Sequence, residues 1–277
     1  MEIRTSNKTL TLDYPQIMGI LNTTPDSFSD GGQFTSPEKA LAHAEAMIEA
    51  GATIIDVGGE STRPGAAEVS LGEELQRVIP VVRSIRQKYP EVWISVDTSK
   101  SEVMQQAIDA GADLINDIRS LQEPGALDVV AKADIPVCLM HMQGQPGTMQ
   151  CHPEYRDVLQ EVYVFLHDRI AECEKAGIRR ENIILDPGFG FGKSLEHNYR
   201  LLANLKTFHQ FGLPLLIGVS RKTMLHKFLD KQPVDCVVAS VVCAAVAAMQ
   251  GAQIFRVHDV EETVEAMKII HMIQANQ

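Results

Sequence analysis

The sequence lacks any long apolar segment of the kind that a membrane span or a secretion signal requires. Its longest apolar run, Val237–Met249, is interrupted by Ser240 and is shorter than the roughly 20 residues that cross a bilayer. The first residues, Met1–Lys8, are polar and contain no apolar stretch typical of a signal peptide. We therefore expect a cytoplasmic protein that makes no membrane contact.

Cysteine is scarce and basic charge is in deficit. The five cysteines show neither a Cys-x-x-Cys pair nor the cysteine–histidine spacing of a zinc site, so we expect free thiols in a reducing compartment. Lys and Arg number 25 against 36 Asp and Glu, which gives a formal net charge of −11. This charge argues against a nucleic-acid partner, although it does not exclude an anionic small-molecule substrate.

A dinucleotide-binding signature is also missing, because no Gly-x-Gly-x-x-Gly follows the first predicted strand. Instead, strand-like apolar runs alternate with helical patterns along the whole chain, without a linker or a change in composition. The predicted strands are Gln16–Leu21, Thr53–Val57, Val92–Val96, Leu114–Ile118, Pro136–Met140, Asn182–Leu185, Pro214–Val219 and Gln253–Val257.

This alternation over 277 residues predicts an α/β fold, a single (β/α)8 TIM barrel that forms one domain over residues 1–277. An open, doubly wound sheet is the alternative fold. A weakly alternating segment, Thr9–Leu12, predicts a short N-terminal hairpin arm in addition to the barrel.

Polar side chains stand at the ends of several predicted strands. Asp97, Asn116 and Asp186 each end an apolar run. Since the carboxyl ends of barrel strands meet on one face, we expect these groups to converge on one pocket. Their oxygens can accept hydrogen bonds from the N–H groups of a flat, polar ligand. Helix capping is the alternative role for an aspartate at such a junction.

Basic side chains follow the last two predicted strands. Lys222 comes after Ser220 and Arg221 at a predicted helix start, where the helix dipole disfavours a cation, and this placement favours a functional role. Arg256 and His258 alternate along the last strand, so their side chains point to the same side. Together these residues could concentrate positive charge where an anionic group binds.

Several motifs, in order along the chain, resemble those of the dihydropteroate synthase family. They are Met18–Gly32, Asp56–Gly65, Ser95–Thr98, Asn116 with Asp117, Asp186–Lys193, Ser220–Lys222 and Arg256–His258. The resemblance runs from Ile17 to Met267, almost the whole chain. It has departures: Thr23 replaces a commoner apolar residue, and Cys236 and Ala239 stand where many members carry Arg and Gly.

The resemblance implies a transferase of folate biosynthesis. The family's reaction joins 6-hydroxymethyl-7,8-dihydropterin pyrophosphate to para-aminobenzoate and gives 7,8-dihydropteroate and pyrophosphate. The resemblance also implies Mg²⁺ as cofactor, with Asn22 as its protein ligand, although an asparagine that caps the following turn is the alternative. A homodimer and competition between sulfonamides and para-aminobenzoate are implied as well.

Residue roles follow from the same resemblance. Asp97 and Lys222 would be catalytic, with Asp97 stabilising positive charge that develops on the pterin as pyrophosphate leaves. Met140 and Phe191 would pack on ring faces, although core filling is the alternative for Met140. The implied substrate-binding residues are Thr62, Arg63, Asp97, Asn116, Met140, Asp186, Phe191, Gly218, Ser220, Arg221, Lys222, Arg256 and His258.

Two loops rich in Gly, Ser, Thr and Pro, Asn22–Phe34 and Gly58–Ser70, are expected to become ordered when substrate binds. Two other functions stay open. A corrinoid-linked pterin methyltransferase would need neither a pyrophosphate site nor the Ser-Arg-Lys motif. A pterin-binding protein without catalysis is disfavoured by the joint presence of polar and basic site residues, namely Asn22, Asp97, Lys222, Arg256 and His258.

Overall fold

The computed structural model describes residues 1–24, 37–61, 68–145, 149 and 153–276. Within them, parallel strands alternate with helices and form one eight-stranded sheet. The two end strands meet through a parallel bridge between Leu185 and Leu215, and the Leu185 N–H donates to the Pro214 carbonyl at 2.9 Å. The sheet therefore closes into the predicted (β/α)8 barrel, and the doubly wound alternative is wrong.

The described strands are β1 (Glu2–Arg4), β2 (Thr9–Thr11), β3 (Gln16–Asn22), β4 (Ile54–Gly58), β5 (Trp93–Asp97), β6 (Leu114–Asp117), β7 (Val137–Met140), β8 (Ile183–Asp186), β9 (Leu216–Ile217) and β10 (Ile254–Val257). The described helices are α1 (Pro37–Glu49), α2 (Leu71–Lys88), α3 (Ser101–Asp109), α4 (Ala126–Ala133), α5 (Val158–Lys175), α6 (Leu195–Ala203), α7 (Thr223–His226), α8 (Val237–Met249) and α9 (Val260–Gln274). The sheet order is β8-β7-β6-β5-β4-β3-β10-β9.

The barrel has an apolar floor at the N-terminal ends of its strands. Each barrel strand contributes one buried residue to this layer, and together these are Met18, Ile54, Trp93, Leu114, Cys138, Ile184, Leu216 and Ile254. Strands β1 and β2 pair as the predicted hairpin arm, and this arm buries Ile3 against the layer. The arm therefore closes the end of the barrel that is opposite the site.

The inward face becomes polar two residues further along the strands. Because alternate residues of a strand point to the same side, the residue two positions after each floor residue also faces inward. On most strands this position carries a polar group, as at Asp56, Ser95, Asn116, Asp186 and Arg256. An apolar floor under a polar upper layer thus places hydrogen-bonding groups where a ligand can reach them.

Helix ends follow the turn and capping residues of the sequence. Ser70 caps α2 in a reciprocal box with Glu73, and Gly51 and Gly177 end α1 and α5 with φ of 104° and 95°. The helix start predicted at Lys222 is present as the four-residue helix α7, whose length was not predicted because it is too short to show a helical period.

The described helices include none with the length and apolar character that a membrane crossing needs. Free thiols are confirmed for Cys138, Cys173, Cys236 and Cys243, and Cys151 lies outside the described residues. Of the departures from the family pattern, Thr23 is buried and its hydroxyl donates to the Gly58 carbonyl at 3.0 Å. Cys236 is buried at the start of α8.

Candidate active site

A cavity of about 540 Å³ opens at the carboxyl ends of the barrel strands. The predicted site residues that line it are Asn22, Asp97, Phe191, Gly218, Ser220, Arg221, Lys222, Arg256 and His258. Three more predicted residues, Asn116, Met140 and Asp186, are buried at the ends of β6, β7 and β8. Thr62 and Arg63, together with most of the two glycine-rich loops, lie outside the described residues.

Arg256 joins two carboxylates from neighbouring strands. Its Nε donates to Asp56 Oδ2 at 2.6 Å, and a terminal nitrogen donates to Asp97 Oδ2 at 2.8 Å. Asp56 also accepts from the Ser95 hydroxyl at 2.6 Å and from the Asn116 amide at 3.2 Å. Asp97, Asn116 and Arg256, from three separate strands, thus belong to one hydrogen-bonded network.

Asp56 is the centre of this network, yet the sequence analysis assigned it no role. It is fully buried and accepts hydrogen bonds from three side chains. Its position in the run Ile54–Gly58 repeats the pattern of a carboxylate near a strand end. The sequence signal was therefore the position of the carboxylate near a strand end, but the sequence does not show the partners that make Asp56 central.

Asp97 has the electrostatics of a functional group. Burial raises its pKa to about 7, although the neighbouring Arg256 guanidinium lowers it. The helix that follows is capped at Lys100, not at Asp97. The alternative role of Asp97 as a helix cap is therefore wrong, and its carboxylate faces the cavity beside Arg256.

The turn after β8 supplies the aromatic wall of the cavity. Asp186 ends the strand, and its Oδ1 accepts from the Gly188 N–H at 2.7 Å. Phe191 lies further along the turn, with the ammonium of Lys222 above its ring, 4.2 Å from the centroid. Burial raises the pKa of Asp186, and the Gly188 N–H and the Lys222 ammonium oppose this shift. An acceptor, an aromatic face and a cation therefore lie close together.

The loops after β9 and β10 are joined by hydrogen bonds. Ser220 Oγ lies 3.0 Å from His258 Nδ1, and it also accepts from the His258 backbone N–H at 3.2 Å. Arg221 adopts a left-handed φ of 55°, and its Nε donates to Asp259 Oδ2 at 3.2 Å. Asp259, which the sequence analysis did not single out, thus holds Arg221 at the cavity wall.

Comparison with known proteins identifies the family. The sequence-family model described as "Pterin binding enzyme" matches residues 18–258 of this chain. The dihydropteroate synthase of Escherichia coli K12 is 60% identical over 98% of this chain and 95% of its own length. The chain belongs to the dihydropteroate synthase family. This membership confirms that the chain is an enzyme, of the predicted transferase class, with the predicted place in folate biosynthesis.

Solved structures of dihydropteroate synthases share the whole fold. The Yersinia pestis enzyme in a sulfonamide drug complex superposes with a TM-score of 0.95 at 57% identity, covering 99% of this chain and 100% of its own. The Xanthomonas albilineans enzyme with 4-aminobenzoic acid gives a TM-score of 0.93 at 47% identity, covering 99% and 98%. The barrel and its cavity are therefore those of a dihydropteroate synthase.

All the predicted roles of the site residues stay predictions, including those of Met140 and Asn22. Met140 packs with Ile118, Met149 and Phe191 in a small buried cluster, which is the geometry of core filling. Asn22 ends β3 and lines the cavity. The described residues hold no group of three or more His, Cys, Asp or Glu side chains arranged for a metal ion.

Proposed function

We propose that this chain condenses 6-hydroxymethyl-7,8-dihydropterin pyrophosphate with para-aminobenzoate at the cavity above the barrel. The observation that supports this most is the combination of acceptors and cations in one site. The Asp56–Asp97–Arg256 network meets the Phe191–Lys222 pair across the same opening. Acceptors suit the pterin edge, and cations suit the pyrophosphate.

The pterin is held by the polar ends of the strands. Asp186 and Asn116 are buried, and each presents an oxygen that can accept from a pterin N–H. Lys222 hydrogen-bonds the pterin carbonyl, a role that suits its ammonium because carbonyl oxygens accept and ammonium groups only donate. Arg256 stacks on the pterin and also meets the pyrophosphate, and its planar guanidinium suits both tasks.

In the chemical step, the C–O bond between the pterin methylene and pyrophosphate breaks, and a bond forms from that carbon to the amine nitrogen of para-aminobenzoate. The nitrogen then loses one proton to water. Positive charge develops on the pterin as the C–O bond breaks, and the Asp97 carboxylate stabilises it. Asp97 is suited to this role because its network with Arg256 fixes the carboxylate before the substrate arrives.

Para-aminobenzoate binds between Phe191 and the loop after β9. The aromatic face of Phe191, the Ser220 hydroxyl and the Lys222 ammonium all border the cavity, and a planar aromatic acid needs such a combination. The binding of 4-aminobenzoic acid by the Xanthomonas albilineans relative supports this proposal.

Mg²⁺ is proposed to enter with the pyrophosphate, beside Asn22. Asn22 is half-buried at the end of β3 and lines the cavity together with Glu60 and Asp97. One amide oxygen fits Mg²⁺, which commonly keeps several waters and is bound through substrate phosphates. The ion would neutralise charge on the leaving pyrophosphate. His258 borders the same cavity and belongs to the proposed pyrophosphate site, whereas the predicted Thr62 and Arg63 lie outside the described residues.

Para-aminobenzoate should bind to the enzyme only after Mg²⁺ and pyrophosphate. A tiny ligand supplies at most about 1.5 kcal/mol per heavy atom, whereas ordering a loop costs roughly 1–2 kcal/mol per residue. Calorimetric titration of para-aminobenzoate should therefore give little heat with the enzyme alone and a measurable affinity once Mg²⁺-pyrophosphate is present. Equal affinity under both conditions would mean a preformed pocket, and chelation of Mg²⁺ serves as the control.

The alternative of a corrinoid-linked methyltransferase is wrong, because the chain belongs to the dihydropteroate synthase family. Such an enzyme would need no pyrophosphate site, whereas here Arg256 and His258 share the cavity with Lys222. The test is product analysis on the purified chain. Mass spectrometry should detect 7,8-dihydropteroate when both substrates are present, and no methyl group should pass from methyltetrahydrofolate to a reduced corrinoid. Methyl transfer without dihydropteroate would reverse the assignment.

The chain is also proposed to act in the cytoplasm as a homodimer. Helices α8 and α9 pack side by side, and the Gln274 amide donates to the Ala248 carbonyl at 3.1 Å. Their outer faces carry a set of exposed apolar side chains, namely Val238, Val242, Val246, Met249, Ile269, Met272 and Ile273. A patch of this kind on one subunit can bury itself against the same patch of a second copy.

The substitution Val242→Glu should convert the dimer to a monomer. Val242 is 54% exposed in the middle of the α8 stripe, and burying an unpaired carboxylate at a two-fold interface is unfavourable. Sedimentation velocity at micromolar concentration measures the change. Val164→Glu on α5, where the valine is 45% exposed, is the matched control and should leave the dimer intact. A wild-type chain that sediments as a monomer would reject the proposed interface.

A further inference from the structure

A buried lysine that has no role above lies at the end of the turn after β8. Lys193 is 3% exposed, and all four acceptors around its ammonium are uncharged. Three are carbonyl oxygens, of Gly188 at 2.8 Å, Phe191 at 3.0 Å and His141 at 3.3 Å. The fourth is the ring Nδ1 of His141 at 2.9 Å. Burying an ammonium is costly unless it is hydrogen-bonded, so these contacts determine where Lys193 lies.

The His141 ring is neutral and packed in place, so it can accept a hydrogen bond from Lys193. Burial, and then the charge of Lys193, lowers the pKa of His141 to about 2, so its ring is neutral and Nδ1 can accept. Burial also lowers the pKa of Lys193 to about 7, although Asp186 opposes this shift, and the Lys193 nitrogen donates hydrogen bonds in both its charged and its neutral form. The ring packs edge-on against Phe165, with centroids 5.0 Å apart. Lys193 therefore joins the turn after β8 to a fixed side chain at the end of β7.

The turn lies directly on the chain that follows β7. A Cβ atom added at Gly188 would stand 1.8 Å from the His141 carbonyl oxygen, and one at Gly192 would stand 2.3 Å from the Gln143 carbonyl oxygen. Both glycines also adopt left-handed φ angles, of 76° and 62°. The two loops are thus in backbone contact, with the Lys193 ammonium between them.

The opposite side of the same turn contacts Lys222 and carries Phe191. A Cβ atom at Gly190 would stand 3.2 Å from Cδ of Lys222, and the Lys222 ammonium lies 4.2 Å from the centroid of the Phe191 ring. A shift of the turn would therefore move Phe191 and remove the surface on which the Lys222 side chain rests. Misplacement by about 1 Å can cost an enzyme roughly a hundredfold in rate.

We propose that Lys193 is a positioning residue for the condensation. Its Nζ donates to the carbonyls of Gly188 and Phe191 and also contacts His141. These hydrogen bonds fix the turn that places Phe191 and Lys222 at the para-aminobenzoate site. Lys193 touches neither substrate. The inference rests on the proposed para-aminobenzoate site, and it adds a residue that acts on this site through the backbone.

The substitution Lys193→Met tests the proposal, because methionine has a similar length and no donor. We expect KM for para-aminobenzoate to rise roughly tenfold and kcat to fall roughly tenfold, while the Kd of a pterin analogue, which Asn116 and Arg256 also bind in the proposed site, rises less than this KM. Lys206→Met, at an exposed lysine, is the matched control and should change none of these constants. Phe191→Leu should give the same pattern, and the double variant should be less than additive.

A second variant keeps the test decisive if Lys193→Met does not fold. Lys193→Gln retains two N–H donors and should fold, with a smaller rise in KM for para-aminobenzoate. Wild-type kinetic constants in either folded variant, or an equal loss of affinity for both ligands, would overturn the proposal. If neither variant folds, Lys193 is required for folding and the proposed positioning role is rejected. Wild-type turnover that does not need para-aminobenzoate would instead sink the proposed function.

Discussion

Lys222→Met should lower kcat/KM about 100- to 1,000-fold while the barrel stays folded, the loss expected when one preorganised charged donor is removed from an active site. Lys222 directly precedes the four-residue helix α7. Its ammonium faces the Phe191 ring and the cavity, and its charge opposes the burial-induced rise in the pKa of Asp186. The variant loses all of these interactions and keeps the length of the side chain.

A neighbouring lysine provides the control for this prediction. Lys227 is exposed just past the end of α7, so Lys227→Met removes the same charge without touching the cavity. Steady-state kinetics with both substrates, together with thermal unfolding, compare the two variants. Equal activity in Lys222→Met and Lys227→Met would contradict the proposed role of Lys222.

Asp186→Asn should weaken pterin binding by several kcal/mol, or about a hundredfold or more in Kd. Asp186 is buried at the end of β8, and one of its oxygens already accepts from the Gly188 N–H. An amide in its place turns one acceptor into a donor, so pterin N–H groups lose their partner. Each buried group left without a partner costs roughly 1–3 kcal/mol. Calorimetric titration with a pterin analogue measures the loss.

A buried aspartate at the opposite end of the barrel distinguishes binding from stability. Asp113 precedes β6 and accepts from the Ile94 N–H at 2.9 Å and from Lys8 at 3.3 Å, and it also pairs with Arg86. Asp113→Asn should lower the unfolding temperature and leave pterin affinity unchanged. If Asp186→Asn binds the analogue as tightly as the parent chain does, Asp186 is not a pterin ligand.

The fold was predictable because it depends on regular patterns. Buried parallel strands are nearly continuous apolar runs, and a strand such as Ile54–Gly58 stands out after a helix that ends at Gly51. Even the hairpin arm was visible from Thr9–Leu12. The patterns do not show local detail. A helix start was predicted at Lys222, but the length of α7 was not, because four residues hold barely one helical turn.

The site was predictable only where a residue type suggests its own chemistry. Asp97, Lys222 and Arg256 were identified at strand ends, and the structure brings them to one cavity. Asp56 and Lys193 were missed because their importance lies in partners from distant parts of the chain, such as Arg256 for Asp56 and His141 for Lys193. A single sequence shows the periodicity of one strand but not the contacts between strands.

The most direct test of the proposed function is to measure both products in one reaction. The purified chain is given the pterin pyrophosphate and Mg²⁺, with and without para-aminobenzoate, and pyrophosphate and 7,8-dihydropteroate are quantified over time. The predicted result is equal amounts of the two products when both substrates are present, and no sustained pyrophosphate release when para-aminobenzoate is left out. Absence of pyrophosphate with both substrates present, or release at the same rate without para-aminobenzoate, would contradict the condensation.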